Sequence, residues 1–346
     1  MKIITIEEHY QSANVSKKMD EINATANPEQ KQTNKAGLEM AKNFLSSTDD
    51  IEDVGERRIK FMDEAGIDMQ VIAYGNGNPQ TLTDAKAAIA LCREANDELA
   101  SMIRKNPTRF AGFASLPVAD PMAAAAELER AVKVHGFKGA MLAGTFEGKF
   151  FDDPQFLPIF AKAEELNVPI YMHPSIIAKE ISDYYFNSTE WSPMLTATFA
   201  SAGYGWHMDV GIHVIRLILS GMFDKLPNLK IISGHWGEFV PYFLERMDET
   251  MLPSMTGLKR NISDYYRNHV YITPSGLFSV PQLQFAIAEM GADHVIYSGD
   301  YPYLIDTKSR EFLETAPISD EDREKIAHLN VEKLLGLGEK IRFTAK

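Results

Sequence analysis

Cysteine is almost missing from this sequence: Cys92 is the one example in 346 residues. No internal disulfide can form, which points to a reducing, cytoplasmic compartment. Cys92 lies in the helix-like run AIALCREANDELA, where a lone thiol reads as a small packed hydrophobe rather than a nucleophile. Basic clusters are missing as well. Net charge is −13, and no Lys/Arg-rich run offsets it, which argues against nucleic acid or an anionic membrane as partner. Nor is there a stretch approaching the ~20 apolar residues of a membrane span, and the apolar part of MKIITIEEH is too short for a signal peptide. An anionic substrate would have to meet local positive charge, from a metal or a placed arginine.

What is present is regular alternation. Hydrophobic residues make up 45% of the chain and charged residues 24%, ordinary values for a soluble globular protein. Short apolar runs at 2–7, 69–74, 110–116, 138–143, 168–173, 229–234, 270–274 and 294–299 read as strands. Several are β-branched and apolar on both faces, as in parallel strands covered by helices. Helix-like stretches fall between them, at 56–65, 84–106, 121–135, 155–166, 208–224, 238–252, 280–290 and 320–335. Pro121 and Pro154 suit first helical turns, with Asp120 and Asp153 as caps before them. Eight such units predict an α/β fold of the (β/α)8 TIM-barrel type, one domain over 1–346. Two stretches break the alternation. Residues 10–55 are polar, and residues 175–207 carry Tyr184, Tyr185, Phe186, Trp191, Phe199, Tyr204 and Trp206. Both follow strand C-termini, the face where barrel active sites are built, and the aromatic stretch reads as a pocket wall or subunit contact.

Chemistry-bearing residues gather at the same strand ends: Glu7 and His9 in TIEEHY, His173 in IYMHPS, His235 in ISGHWGE and Asp300 in IYSGDYP. Carboxylate and imidazole ligands delivered from different strands are what a catalytic transition-metal site needs. Glu7 and His9, two apart on a strand, would share a face, while Glu8 between them faces away and reads as structural. His173 closes an apolar strand across the barrel from them. His235 is open to three roles: ligand, general base or electrostatic aid to the substrate. Glu238 reads as a helix cap. Asp300 is suited both to ligate a divalent ion and to carry a proton. His207 lies near the active face, His213 reads as packing or surface, and His135, His269, His294 and His328 as structural.

The joint pattern resembles the amidohydrolase superfamily, and within it the decarboxylase branch related to aminocarboxymuconate semialdehyde decarboxylase. The resemblance rests on Glu-x-His at strand 1, His-Pro after strand 5, Gly-His-x-Gly-Glu after strand 6 and Asp-Tyr-Pro after strand 8. Residues 216–248, RLILSGMFDKLPNLKIISGHWGEFVPYFLERMD, and the tail segment IAHLNVEKLLGL are similar to that branch too. Glu in the first ligand position resembles γ-resorcylate and dihydroxybenzoate decarboxylases. The resemblance implies one divalent ion, Zn²⁺ or Mn²⁺, held by Glu7, His9, His173 and Asp300, with no organic cofactor. It implies His235 beside the substrate, and Arg246 reaching the site of a neighbouring subunit in a homodimer or homotetramer. Strand 4 ends AMLAG without a lysine, which argues against a carbamate-bridged pair of metals. Tyr10 and Phe44 are candidates for an aromatic over the substrate. The implied reaction is non-oxidative decarboxylation of an ortho-hydroxylated benzoate, a small aromatic carboxylate, with Asp300 protonating the ring. Two rivals keep the same residues: a hydrolase or hydratase using metal-activated water on a lactone, amide or unsaturated acid, and a non-catalytic metal-binding sensor or scaffold.

Overall fold

The structure is a computed structural model and describes residues 1–25 and 48–337. Seven strands run in chain order: β1 (Ile4–Tyr10), β2 (Met69–Tyr74), β3 (Phe110–Gly112), β4 (Ala140–Ala143), β5 (Ile170–His173), β6 (Ile231–Ser233) and β7 (Val270–Ile272). All pair in parallel, β1 to β3 as one ladder and β4 to β7 as another. Single parallel bridges complete the ring. Ala114 pairs with Ala140, and the segment after the seventh helix pairs Val295 with Ile272 and Ser298 with Ile6. The chain is therefore an α/β barrel, and the eighth predicted strand, 294–299, is present as two bridges rather than as a regular ladder.

Two apolar layers hold it. Ile4, Ile6, Val71, Ala73, Phe113, Met141, Ile232 and Ile296 fill the barrel interior. The outward faces of the strands, with Ile3, Tyr10, Ile72 and Leu142 among them, pack against the helices. Helix starts follow ordinary chemistry. Asp84 and Asp120 accept N–H bonds at the starts of helices Ala85–Ile103 and Pro121–His135, and Gly136 in left-handed conformation ends the second. Cys92 is buried in the first of these helices, where burial pushes its thiol well up, as expected for a packing residue.

The predicted helix over 238–252 does not form as one element. Two short 3-10 turns, His235–Gly237 and Val240–Phe243, precede a single helix Leu244–Thr250. The cause is local: Trp236, Glu238 and Phe239 have φ of 59°, 54° and 66°, left-handed values that no helix accommodates. The predicted helix 208–224 begins earlier and divides, into Gly205–Leu219 and Met222–Lys225, with left-handed Gly221 between. Strand β1 carries a register shift between Thr5 and Glu8, and Glu7 sits in it at φ 64°. This is a β-bulge. Among the described residues no helix is long and apolar enough to cross a membrane.

Candidate active site

The bulge sets the site. Simple alternation would put Glu7 and His9 on the face opposite Ile4 and Ile6, which fill the barrel. The extra residue lets Ile6, Glu7 and His9 all turn inward, and sends Glu8 outward. Glu7 is fully buried, and its Oε2 accepts from Ser275 Oγ and, at 3.4 Å, from Thr273 Oγ1, both just past β7. Its Oε1 has no hydrogen-bond partner and lies 3.6 Å from His173 Nε2 at the end of β5. His173 Nδ1 donates to its neighbour's carbonyl, Pro174 O, at 2.7 Å, an arrangement that leaves Nε2 with the lone pair. His9 is buried with neither ring nitrogen in a hydrogen bond, its Nε2 standing 3.2 Å from Asp300 Oδ1. The His9 and His173 rings meet edge to face, 4.9 Å between centroids.

A second group flanks the first. Glu238 is buried, and its two oxygens accept from two imidazoles: His235 Nδ1 at 2.7 Å and His207 Nδ1 at 2.8 Å. His207 Nε2 donates to Ala202 O at 3.0 Å, and the His207 and His235 rings are 4.3 Å apart. The His235 backbone N–H donates to Ser275 Oγ at 2.8 Å, so one serine serves both groups.

Both groups open onto a cavity of about 440 Å³. His173, His207, His235 and Asp300 line it on one side, Trp206, Phe239 and Tyr303 on another. Among the described residues no Lys or Arg lines it. Its walls include Ala202 to Trp206, so the aromatic stretch does supply part of the pocket, while Tyr184, Tyr185 and Met194 stay exposed. None of the described residues of 10–55 lines it. Tyr10 is not an aromatic over the substrate: it packs between strand and helix, and its hydroxyl donates to Ala95 O. Phe44 lies outside the described residues.

Burial and charge tune the titrating groups. Burial raises Glu7 to about 7, with His235 pulling down and Asp300 pushing up. Burial likewise raises Asp300 to about 7 against the pull of His235 and His207. Burial lowers His9 to about 3, so its ring is neutral, as a metal ligand must be. His173 is held well below the usual range, again by burial first. His235 runs the other way. Burial would lower it, but Glu238 and Glu7 lift it to about 9, which keeps it an imidazolium at neutral pH. Glu238 stays ionised, because His235 and His207 outweigh its burial.

The unpaired donor atoms fit a divalent cation. Glu7 Oε1, His9 Nε2 and His173 Nε2 are buried or half-buried Lewis bases converging from β1 and β5, with an Asp300 oxygen beside them. His207, His235 and Glu238 also bring ligand atoms within 4.8 Å of one another. Both Glu238 oxygens and the two Nδ1 atoms are already paired with each other, so the first set is the better cation site.

The Amidohydrolase family pattern matches residues 39–337. The chain belongs to the amidohydrolase family. A γ-resorcylate decarboxylase of Polaromonas sp. is 36% identical over 312 residues, covering 87% of this chain and 93% of the relative. Among solved structures, a putative amidohydrolase from Staphylococcus aureus is 41% identical, with a TM-score of 0.84 over 97% of this chain and 100% of its own. A dihydroxybenzoic acid decarboxylase from Polaromonas sp., solved with manganese and the inhibitor 2-nitroresorcinol, is 31% identical, with a TM-score of 0.82 over 97% of each chain.

In this amidohydrolase the five strand-end residues singled out from the sequence come together at one barrel mouth. Arg246 does not join them within the chain: it is 71% exposed on helix Leu244–Thr250 and pairs with Glu249 at 3.1 Å. Glu238 is where sequence reasoning fell short. It is no helix cap but the shared acceptor of two histidines, and the His-x-x-Glu spacing of 235 and 238 was the available signal. Tyr303 and Ser275 gave no such signal, since each is brought in by a loop. His213 is a packing residue: it is buried, accepts from the Phe151 N–H at 2.8 Å and stacks on that ring. His135, His269 and His328 are likewise tied to carboxylates or carbonyls away from the site.

Proposed function

We infer that this amidohydrolase is a metal-dependent, non-oxidative decarboxylase of ortho-hydroxylated benzoates of the γ-resorcylate type. The observation that carries this is the pairing of unsatisfied ligand atoms on Glu7, His9 and His173 with a raised Asp300 carboxyl, at the floor of an aromatic-walled cavity. The similar relative that decarboxylates γ-resorcylate supports the substrate class. Glu7, His9, His173 and Asp300 would hold one divalent ion, Mn²⁺ or Zn²⁺, and the bound manganese of the Polaromonas structure favours the former. When bound, the ion supplies a positive centre for the substrate carboxylate and its neighbouring phenolic oxygen.

The chain's own groups supply the rest. Aromatic walls from Trp206, Phe239 and Tyr303 confine a flat ring and exclude water. Asp300, whose carboxyl burial raises to about 7 in the metal-free site, delivers a proton to the ring carbon that bears the carboxylate. Aromaticity is broken at that carbon. The carbon–carboxylate bond then breaks, its electron pair returns to the ring, and CO₂ leaves. Asp300 recovers a proton from solvent. His235, held as an imidazolium by Glu238, faces the charge on substrate oxygen throughout. Among the described residues no Lys or Arg lines the cavity, and His235 supplies fixed positive charge there.

The chain acts in this reading as one barrel domain over 1–346, with an aromatic carboxylate as its small-molecule partner. Its assembly is a homodimer or homotetramer in which Arg246 serves a neighbour's site. CO₂ release and ultraviolet loss of substrate, with metal-replete protein on γ-resorcylate, salicylate and 5-carboxyvanillate, test the reaction. Turnover of one establishes it. Silence on all three, with metal bound, sinks it and moves the search to hydrolysis and hydration.

A further inference from the structure

Glu8 is fully buried between the two proposed ligands of β1, yet it faces out of the barrel. Its carboxylate is not idle. Oε1 accepts the Gly299 N–H at 3.0 Å and Oε2 the Tyr301 N–H at 3.0 Å. Those two amides belong to the residues on either side of Asp300. A carboxylate gripping both flanks of one residue leaves the residue between little freedom. Asp300 is held at φ 61°, a left-handed value that residues other than glycine adopt only at a cost. Such a conformation persists only where the surroundings over-determine it.

The clamp is itself braced. Gln70 Nε2 donates to Glu8 Oε2 at 3.2 Å, and Gln70 Oε1 accepts from Arg58 at 3.3 Å. The Arg58 guanidinium also donates to the His9 carbonyl and to Asp53 O, and sits 4.7 Å above the Tyr301 ring. The His9 N–H donates to Tyr301 O at 2.7 Å. One buried network thus ties the backbone of His9 to the backbone around Asp300.

The geometry points to Glu8 as a positioning residue for the proton transfer: by binding the Gly299 and Tyr301 amides it fixes Asp300 in the left-handed conformation that faces His9 and the cavity. This rests on the decarboxylase reading for the role of Asp300, but the clamp itself does not. A shift of about 1 Å in a reacting group is enough to cost about 100-fold in rate, so a loosened clamp would act on kcat.

Two variants probe it from opposite sides. Glu8→Gln keeps the size but offers one acceptor oxygen where two amides need two. Gly299→Ala leaves the Glu8 side chain itself unchanged, but its new Cβ would meet Glu8 Oε1 at 3.0 Å and displace the grip. In metal-replete protein we expect amide exchange in the 296–304 segment to quicken about tenfold, the equivalent of one lost hydrogen bond. We also expect kcat to fall by about 100-fold while KM, metal content and resorcinol binding stay near those of the parent. Parental kcat and exchange in either folded variant would overturn the proposal, as would a loss confined to KM or metal content. Should Glu8→Gln not fold, Gly299→Ala decides alone. If the parent protein decarboxylates none of the acids, the reaction assignment fails, while the exchange rates still report whether Glu8 clamps the loop.

Discussion

Asp300 and His235 share a site but are tuned apart, one carboxyl raised to hold a proton and one imidazole raised to hold a charge. Burial acts on both. The difference is the partner, since Glu238 stands 2.7 Å from His235, whereas the nearest groups to Asp300 are imidazoles. Asp300→Asn should therefore leave the pocket and most metal binding intact and cut kcat by at least about 10²–10⁴, the usual worth of a positioned acid. Turnover and metal content measured side by side check this, and retained turnover would refute the proton-donor role. Away from the site, His213 makes a prediction about pH. Burial lowers it to about 3 from an ordinary value of 6.5, so the folded protein keeps it neutral while the unfolded chain takes up a proton. Its contribution is present above pH 6.5 and is lost as pH falls from there, by up to about 1.4 kcal/mol per pH unit. His213→Gln should flatten the acid slope of stability over that range in denaturant melts, although it lowers stability at neutral pH.

Single elements were legible in the sequence to different degrees, and the reasons are physical. Helices Glu56–Ala65, Pro121–His135 and Val280–Met290 fall where hydrophobic period and cap signals placed them. The strands were legible because both faces are apolar. What was not legible was conformation forced by tertiary contact. The β1 bulge leaves no mark in TIEEHY, so the shared face of Glu7 and His9 was reached through an alternation the strand does not keep. The start of the predicted helix 238–252 reads as helix because Glu238, Phe239 and Val240 carry no breaker, and Pro241 is acceptable in a first turn. Left-handed φ at the five residues from His235 to Phe239 is imposed by the turn that presents His235 and Glu238 to each other. That Glu7, His9, His173, His235 and Asp300 would gather was legible, since chemistry at strand ends survives such local errors.

Taken as a whole molecule, the barrel leaves several large apolar side chains exposed. Tyr184, Tyr242, Phe243 and Met255 are more than half exposed, and Tyr242 packs on the half-exposed Phe285. Exposed aromatics of this number usually mark an interface. Arg246 lies in the same stretch of chain, and its guanidinium pairs with Glu249 at 3.1 Å. Sedimentation should give a dimer or tetramer, and Arg246→Ala should lower turnover at unchanged mass and melting temperature. Full activity in a strictly monomeric protein would remove the role of Arg246.

Glu7, His235, Ser275 and Asp300 all have left-handed backbones, with φ of 64°, 46°, 47° and 61°. Each is a conformation that glycine or asparagine adopts more readily. Two of the four, Glu7 and Asp300, are also carboxyls raised by burial, and Asp300 pushes Glu7 up further. The fold thus carries its chemistry as a standing load, and metal-free Asp300→Asn should melt above the metal-free parent, with a lower midpoint arguing against that load. A lineage released from selection for turnover would accordingly erode here first, drifting toward asparagine and glycine at the barrel mouth while the strands beneath stayed as they are.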